Sequence, residues 1–152
     1  MKLASQLKEG FRNIPVVIGW TTIITLIVLI TEYVKQPTPG GTATYFGLLD
    51  MVIILGASLV FGIFLIDPQK ILYCVIGTIC LSIVISVVYS SLYDLSLGIG
   101  EQYSEAVPGW EWVTWFAFLR VFRIMFPTGI ILVFIGGMIG GIVNDLMWPH
   151  RG

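Results

Sequence analysis

Charged residues are scarce in this 152-residue chain: Asp, Glu, Lys and Arg make up 11% of it, whereas soluble domains have about 25%. The few basic residues form no run or patch. A nucleic-acid-binding protein needs a basic surface to contact phosphates, so we expect no nucleic-acid partner. The low charge also argues against an ordinary soluble domain.

Histidine and cysteine are scarce too, which excludes the common metal and haem sites. His150 is the only histidine, so this chain alone cannot provide a bis-His haem or a His-rich metal centre. Cys74 and Cys80 are six residues apart, about 120° around a helix, so we predict no disulfide between them. No Cys-x-x-Cys or His-Glu-x-x-His motif occurs, and no two carboxylates stand at the paired spacing a lipid-modifying enzyme needs. We therefore expect no catalytic residues, no metal and no cofactor.

Long apolar runs are what the chain has instead. It is 57% hydrophobic, with a mean hydropathy of +0.94. A bilayer core of about 30 Å is crossed by roughly 20 helical residues, and four runs are long enough. The sequence therefore predicts an all-α membrane protein with one transmembrane domain over residues 1–152. The predicted spans are 14–34, 45–66, 71–93 and 127–148.

The segment Trp110–Phe126, before the last span, has two interpretations. Its three tryptophans are typical of a helix at headgroup level, which favours an interfacial amphipathic helix. Its polar positions recur every third residue and wind around a helix, so the amphipathic pattern is only moderate. The alternative is a fifth span with Arg120 and Arg123 at its cytoplasmic end. We prefer four spans plus an interfacial helix and leave five spans open.

The positions of the basic residues predict an orientation. Lys2, Lys8 and Arg12 precede the first span, and Lys70 lies in the second loop, on the same side. The loop after the third span has acidic residues and no basic residue. The positive-inside rule then places the N-terminus in the cytoplasm. The expected location is an integral position in the plasma or cytoplasmic membrane.

Small residues recur at every fourth position of the third span, "CVIGTICLSIVISVVYSS". A four-residue series drifts by about 40° per step, so it forms one coherent helix face. Lipid tails are as apolar as Leu, so helices in a membrane associate through close backbone approach at small residues. The second and last spans carry similar faces. The predicted helix-packing or partner-interface residues are Cys74, Thr78, Ser82, Ser86, Ser90, Ser58, Gly62, Gly136, Gly137, Gly140 and Gly141.

Five charged residues lie near the outer ends of the predicted helices. A charge in lipid usually faces the bundle interior and finds a partner. We therefore predict an outer-side charge cluster that holds the helices together by ion pairs. The other interpretation is a proton or ion step at Asp50. The residues of the predicted cluster are Glu32, Asp50, Asp94, Arg120 and Arg123.

Three functions compete on this evidence. The leading hypothesis is a small non-catalytic subunit that packs against a larger membrane complex, with other integral-membrane subunits and lipids as partners. It is based on the number of small-residue faces: three such faces are more than a minimal four-helix bundle needs for its own packing. The alternative is a small homo-oligomeric transporter or channel, with the third-span hydroxyls lining its path and Asp50 as coupling carboxylate. A third option is a lipid- or precursor-binding assembly factor that reads the membrane surface through Trp110–Phe126.

Overall fold

A computed structural model describes residues 13–34, 46–65, 70–99 and 109–148 of the chain. These residues are almost entirely helical, and the described ranges contain no strand, which confirms the all-α prediction. The helices are α1 (Ile14–Tyr33), α2 (Leu48–Ile63), α3 (Ile71–Ser96), α4 (Gly109–Ile124) and α5 (Ile130–Met147).

Three helical segments are long and apolar enough to cross a membrane. They are α1, α3 and the continuous segment Gly109–Met147, which joins α4 to α5. Helix α2 is apolar but has only 16 residues, about 24 Å against a bilayer core of about 30 Å. By helix length and composition this is a membrane protein, with three candidate spans and one shorter apolar helix among the described residues.

Local sequence explains where several helices begin and end. Pro15 lies in the first turn of α1, where its missing N–H costs no hydrogen bond. At the start of α2, the Gly47 backbone N–H donates to Asp50 Oδ2 over 2.8 Å, which caps the helix with the helix's own carboxylate. After α3, Gly98 has φ +69°, a left-handed conformation that favours glycine.

Helices α4 and α5 are joined by a kinked π-helical segment at Met125–Gly129. Phe126 has an extended backbone (φ −98°, ψ 136°) within this segment. Pro127 has no N–H to continue a helical ladder, and it disfavours the helical conformation for the residue before it. Of the predicted interfacial segment Trp110–Phe126, the structure makes a helix up to Ile124.

Helices α1 and α3 run in the same direction. The Asn13 side-chain amide contacts Cys74 Sγ at 3.7 Å, and the Ser82 hydroxyl lies 3.4 Å from the Thr21 carbonyl oxygen. Further along, the Ser90 hydroxyl contacts the carboxylate of Glu32. Residue numbers therefore rise together on the two helices, from the Asn13 end of the bundle to the Glu32 end.

The segment from α4 to α5 runs the opposite way, antiparallel to α3. Along α3 the contacts pass from Ile71 with Gly141, through Val75 with Gly137, to Asp94 with Arg120. Helix α2 runs parallel to α5, since Phe46 packs near Gly129 while Gly62 meets Gly140. Helices α1 and α3 thus point one way, and α2 and α5 the other.

The core lies where α1, α2, α3 and α5 meet. Trp20, Ile24, Ile54, Val75 and Val133 are fully buried there. The Trp20 indole N–H donates to Ser58 Oγ over 3.1 Å, so the largest core side chain also satisfies a buried hydroxyl on α2. The buried face of α4 is formed by Val113, Ala117, Val121 and Ile124, of which Val121 and Ile124 join the same core.

Candidate functional site

Helices α2 and α5 approach until their backbones touch. A Cβ atom on Gly62 would lie 2.6 Å from the Gly137 carbonyl oxygen and 2.9 Å from the Gly140 Cα. On Gly136 it would lie 2.7 Å from the Ser58 Cβ, and on Gly140 it would overlap the carbonyl oxygen of Leu59. Only glycine fits these three positions at this helix separation. Ser58, Gly62, Gly136 and Gly140 therefore form one internal contact.

The other two glycines of the "GGMIGG" motif face the opposite side. A Cβ on Gly137 would lie 2.5 Å from Trp20 Cη2 and 2.7 Å from Val75 Cγ2. A Cβ on Gly141 would overlap the side chain of Ile71. The motif is thus two i, i+4 pairs, one packed on α2 and the other on α1 and α3. The structure places every glycine predicted for packing or for a partner inside this bundle.

The small residues of α3 face α1. Thr78, Ser82, Ser86 and Ser90 are fully buried, and Cys74 nearly so. The contacts of Ser82 with Thr21 and of Ser90 with Glu32 place this face directly against α1. The third-span small residues are therefore in direct helix–helix contact within one chain at these two levels.

Buried threonines on α1 complete the polar interface, and sequence reasoning missed them. Thr21 and Thr25 share a face of α1 with Glu32, at steps of four and seven residues. The signal was present in "TTIIT", Thr21 to Thr25, with hydroxyls four apart opposite the α3 series. The signal is weak because the rest of α1 is an apolar run.

Several of these hydroxyls have no hydrogen-bond partner among the described residues. The exposed Thr22, by contrast, donates to the Ile18 carbonyl of its own helix over 2.8 Å. A buried polar group without a partner costs about 1–3 kcal/mol. The unpartnered buried hydroxyl oxygens on α1 and α3 belong to Thr21, Thr25, Thr31, Thr78 and Ser86.

A charge cluster closes one end of this interface. Arg120 Nε lies 3.4 Å from Glu32 Oε1, and Arg120 Nη2 donates to Asp94 Oδ2. The Ser90 hydroxyl donates to Glu32 Oε2 over 2.8 Å. Both carboxylates are buried, whereas the Arg120 side chain is 39% exposed. Two carboxylates thus share one guanidinium, which leaves an excess charge of −1 when all three groups are ionised.

Asp50 and Arg123, the other two residues of the predicted cluster, lie elsewhere. Asp50 is buried at the start of α2, where it caps its own helix. Arg123 is exposed, and within the described ranges it forms no ion pair. Also within those ranges, no three His, Cys, Asp or Glu side chains are grouped to hold a metal ion.

The comparisons with known proteins place this chain in no family. No family model matches it, and neither a curated protein nor a solved structure matches it.

Proposed function

We propose that this protein is a small non-catalytic membrane subunit that binds another integral-membrane protein through the outer faces of α2 and α3. The observation that supports it is a pair of helical glycines that contact no neighbouring helix in the described part of the chain. A Cβ on Gly56 or Gly77 would meet no heavy atom of the described residues within 4 Å. A glycine inside a helix lowers stability by about 1 kcal/mol relative to alanine. No close contact among the described residues requires glycine at these two positions.

The surroundings of Gly56 suit a helix-docking surface. Val52 and Val60 lie one turn before and one turn after it, and both side chains are exposed. Gly56 therefore forms a notch in an apolar ridge on α2. Helices in a membrane associate at such notches because the backbones come close without a hydrophobic driving force. The partner that fits is a membrane-spanning helix with a bulky ridge.

The proposed topology is four spans, with α2 and α5 crossing the membrane in the direction opposite to α1 and α3. Helix α4 precedes α5 and extends from the outer end of α5 toward the outer interface. Its exposed Trp110 and Trp115 are typical of residues at headgroup level. The start of α1 and the end of α5 both contact the start of α3, at Cys74 and Ile71. These contacts support the arrangement, because they put the start of α1 and the end of α5 on the same side of the membrane.

The N-terminus is proposed to be cytoplasmic, in a plasma or cytoplasmic membrane. Lys70 lies at the start of α3, the end of the bundle from which α1 also begins. Lys2, Lys8 and Arg12 lie outside the described residues, directly before α1. The positive-inside rule assigns the side with these basic residues to the cytoplasm.

Replacing Gly56 or Gly77 by leucine tests the proposed interface. We expect Gly56→Leu and Gly77→Leu each to lower the yield of a stoichiometric partner at least about tenfold, because filling the notch separates the backbones. The measurement is cross-linking in native membranes, mild-detergent purification and quantitative mass spectrometry. Thr22→Leu is the control, since it adds bulk at an exposed position of α1, a helix outside the proposed interface.

Two results would contradict the proposal. One is a wild-type chain that purifies after cross-linking with no stoichiometric partner, or only with a second copy of itself. The other is a partner whose yield is unchanged in both leucine variants. Thermal unfolding of the variants, followed by circular dichroism, checks that each remains folded.

A further inference from the structure

We propose that the interface between α1 and α3 holds a file of water molecules which, with the buried hydroxyls, carries protons between the Asn13 end of the bundle and Glu32. This inference is independent of the subunit function proposed above. It rests on the unpartnered hydroxyls of this interface, and on the carboxylate at its end.

The hydroxyls form a continuous series through the bundle. On α3 the series from Cys74 to Ser90 covers 16 residues of rise, about 24 Å. Helix α1 follows it at a nearly constant register, with Asn13 beside Cys74, Thr21 beside Ser82 and Glu32 beside Ser90. Polar groups of the two helices therefore meet at these three levels, which are spread over most of a bilayer's thickness.

The spacing of the series fits single water molecules. Successive levels are four residues apart, about 6 Å along the helix axis. One water that makes two hydrogen bonds of about 2.8 Å each spans about that distance. At the Thr25 and Ser86 level, both hydroxyls are buried and have no partner among the described residues. Buried water is the usual partner of such groups.

The path suits protons better than metal ions. At the Thr21 level, the Ser82 hydroxyl lies 3.4 Å from a backbone carbonyl oxygen, which leaves no room for a hydrated cation. A hydroxyl or water oxygen can accept one proton and release another, so a proton passes such a point without displacing a heavy atom.

Glu32 is the terminal proton acceptor in this proposal. Its Oε1 is buried and accepts no hydrogen bond among the described residues. The groups that face it are Ser90 and Asp94 on α3 and Arg120 on α4, beside Tyr33 on its own helix. With one guanidinium for two carboxylates, the cluster gains charge balance when it takes up one proton. In this proposal Glu32, and not Asp50, is the carboxylate that takes part in the proton step.

A flux measurement on the full-length protein in liposomes tests the path. A pH-sensitive dye inside the vesicles reports proton entry driven by a potassium gradient with valinomycin. We expect a higher proton flux in vesicles with the wild type than in empty vesicles. The double variant Thr25→Val with Ser86→Ala should reduce that flux at least about tenfold. The matched control is Thr22→Val with Ser91→Ala, which removes two hydroxyls that donate to their own helices and should leave the flux unchanged.

A second measurement does not depend on the variants. Solid-state NMR of the wild type in lipid follows magnetisation transfer from water to Thr25 and Ser86, and the proposal expects transfer to both. Dry signals at both residues would overturn it, as would wild-type flux equal to that of empty vesicles. Equal flux in the test and control variants would overturn it too.

Discussion

Gly140→Ala is expected to lower the free energy of unfolding by about 3 kcal/mol, the upper part of the range for overpacking. The new Cβ would overlap the Leu59 carbonyl oxygen and lie 2.9 Å from the Gly62 Cα. Both are backbone atoms, so no side-chain rotation relieves the clash. Helices α2 and α5 must separate, and the contacts of Ser58 with Gly136 are lost with them.

The control for this prediction is the same substitution at the glycine that faces outward. Gly56→Ala meets no atom of the described residues within 4 Å. It should stabilise the helix by about 0.5–1 kcal/mol through propensity alone. Titration of the purified protein with sodium dodecyl sulfate, followed by far-UV circular dichroism, measures both. Effects of the same sign would contradict the packing of α2 on α5.

Arg120→Met is expected to lower the free energy of unfolding by about 3 kcal/mol. The methionine leaves Glu32 and Asp94 buried with no cation between them. Breaking a buried ion pair costs about 3–5 kcal/mol. The low end applies here because the Arg120 side chain is 39% exposed. The same detergent titration measures the effect.

Two further variants separate the charge effect from lost packing. Arg123→Met, three residues along α4, should change stability by less than about 0.5 kcal/mol, because Arg123 is exposed and forms no ion pair within the described ranges. Adding Glu32→Gln to Arg120→Met should recover part of the loss, since it removes one of the two carboxylate charges that the methionine leaves without a cation. A loss equal for the two arginines, or one that Glu32→Gln deepens, would contradict the role given to Arg120.

The spacing of small residues predicted which positions pack closely, because a four-residue period defines a helix face whatever it meets. Gly136 with Gly140 and Gly137 with Gly141 were paired in this way from "GGMIGG" alone. What each face meets depends on the rotation and direction of the neighbouring helices, which no local pattern encodes. The glycine faces of α5, which suggested a partner, therefore contact α1, α2 and α3 of the same chain.

The charge cluster was predicted from depth in the membrane, and depth alone does not fix which way a side chain points. Glu32, Asp94 and Arg120 are brought together. Asp50 lies where its own helix begins, so the backbone N–H of Gly47 competes for it. Arg123 is three residues from Arg120, about 60° around the helix, and at that position its side chain is exposed and forms no ion pair within the described ranges.

The central claim is that the polar and small-residue faces of these helices meet within one chain, and disulfide trapping tests it most directly. In a Cys80→Ala background, Asn13→Cys should oxidise with Cys74, because the Asn13 side chain lies 3.7 Å from Cys74 Sγ. The product should be a monomer with one internal disulfide, shown by mass spectrometry of the joined peptides. A disulfide-linked dimer, or two thiols that stay free under the same oxidant, would contradict it.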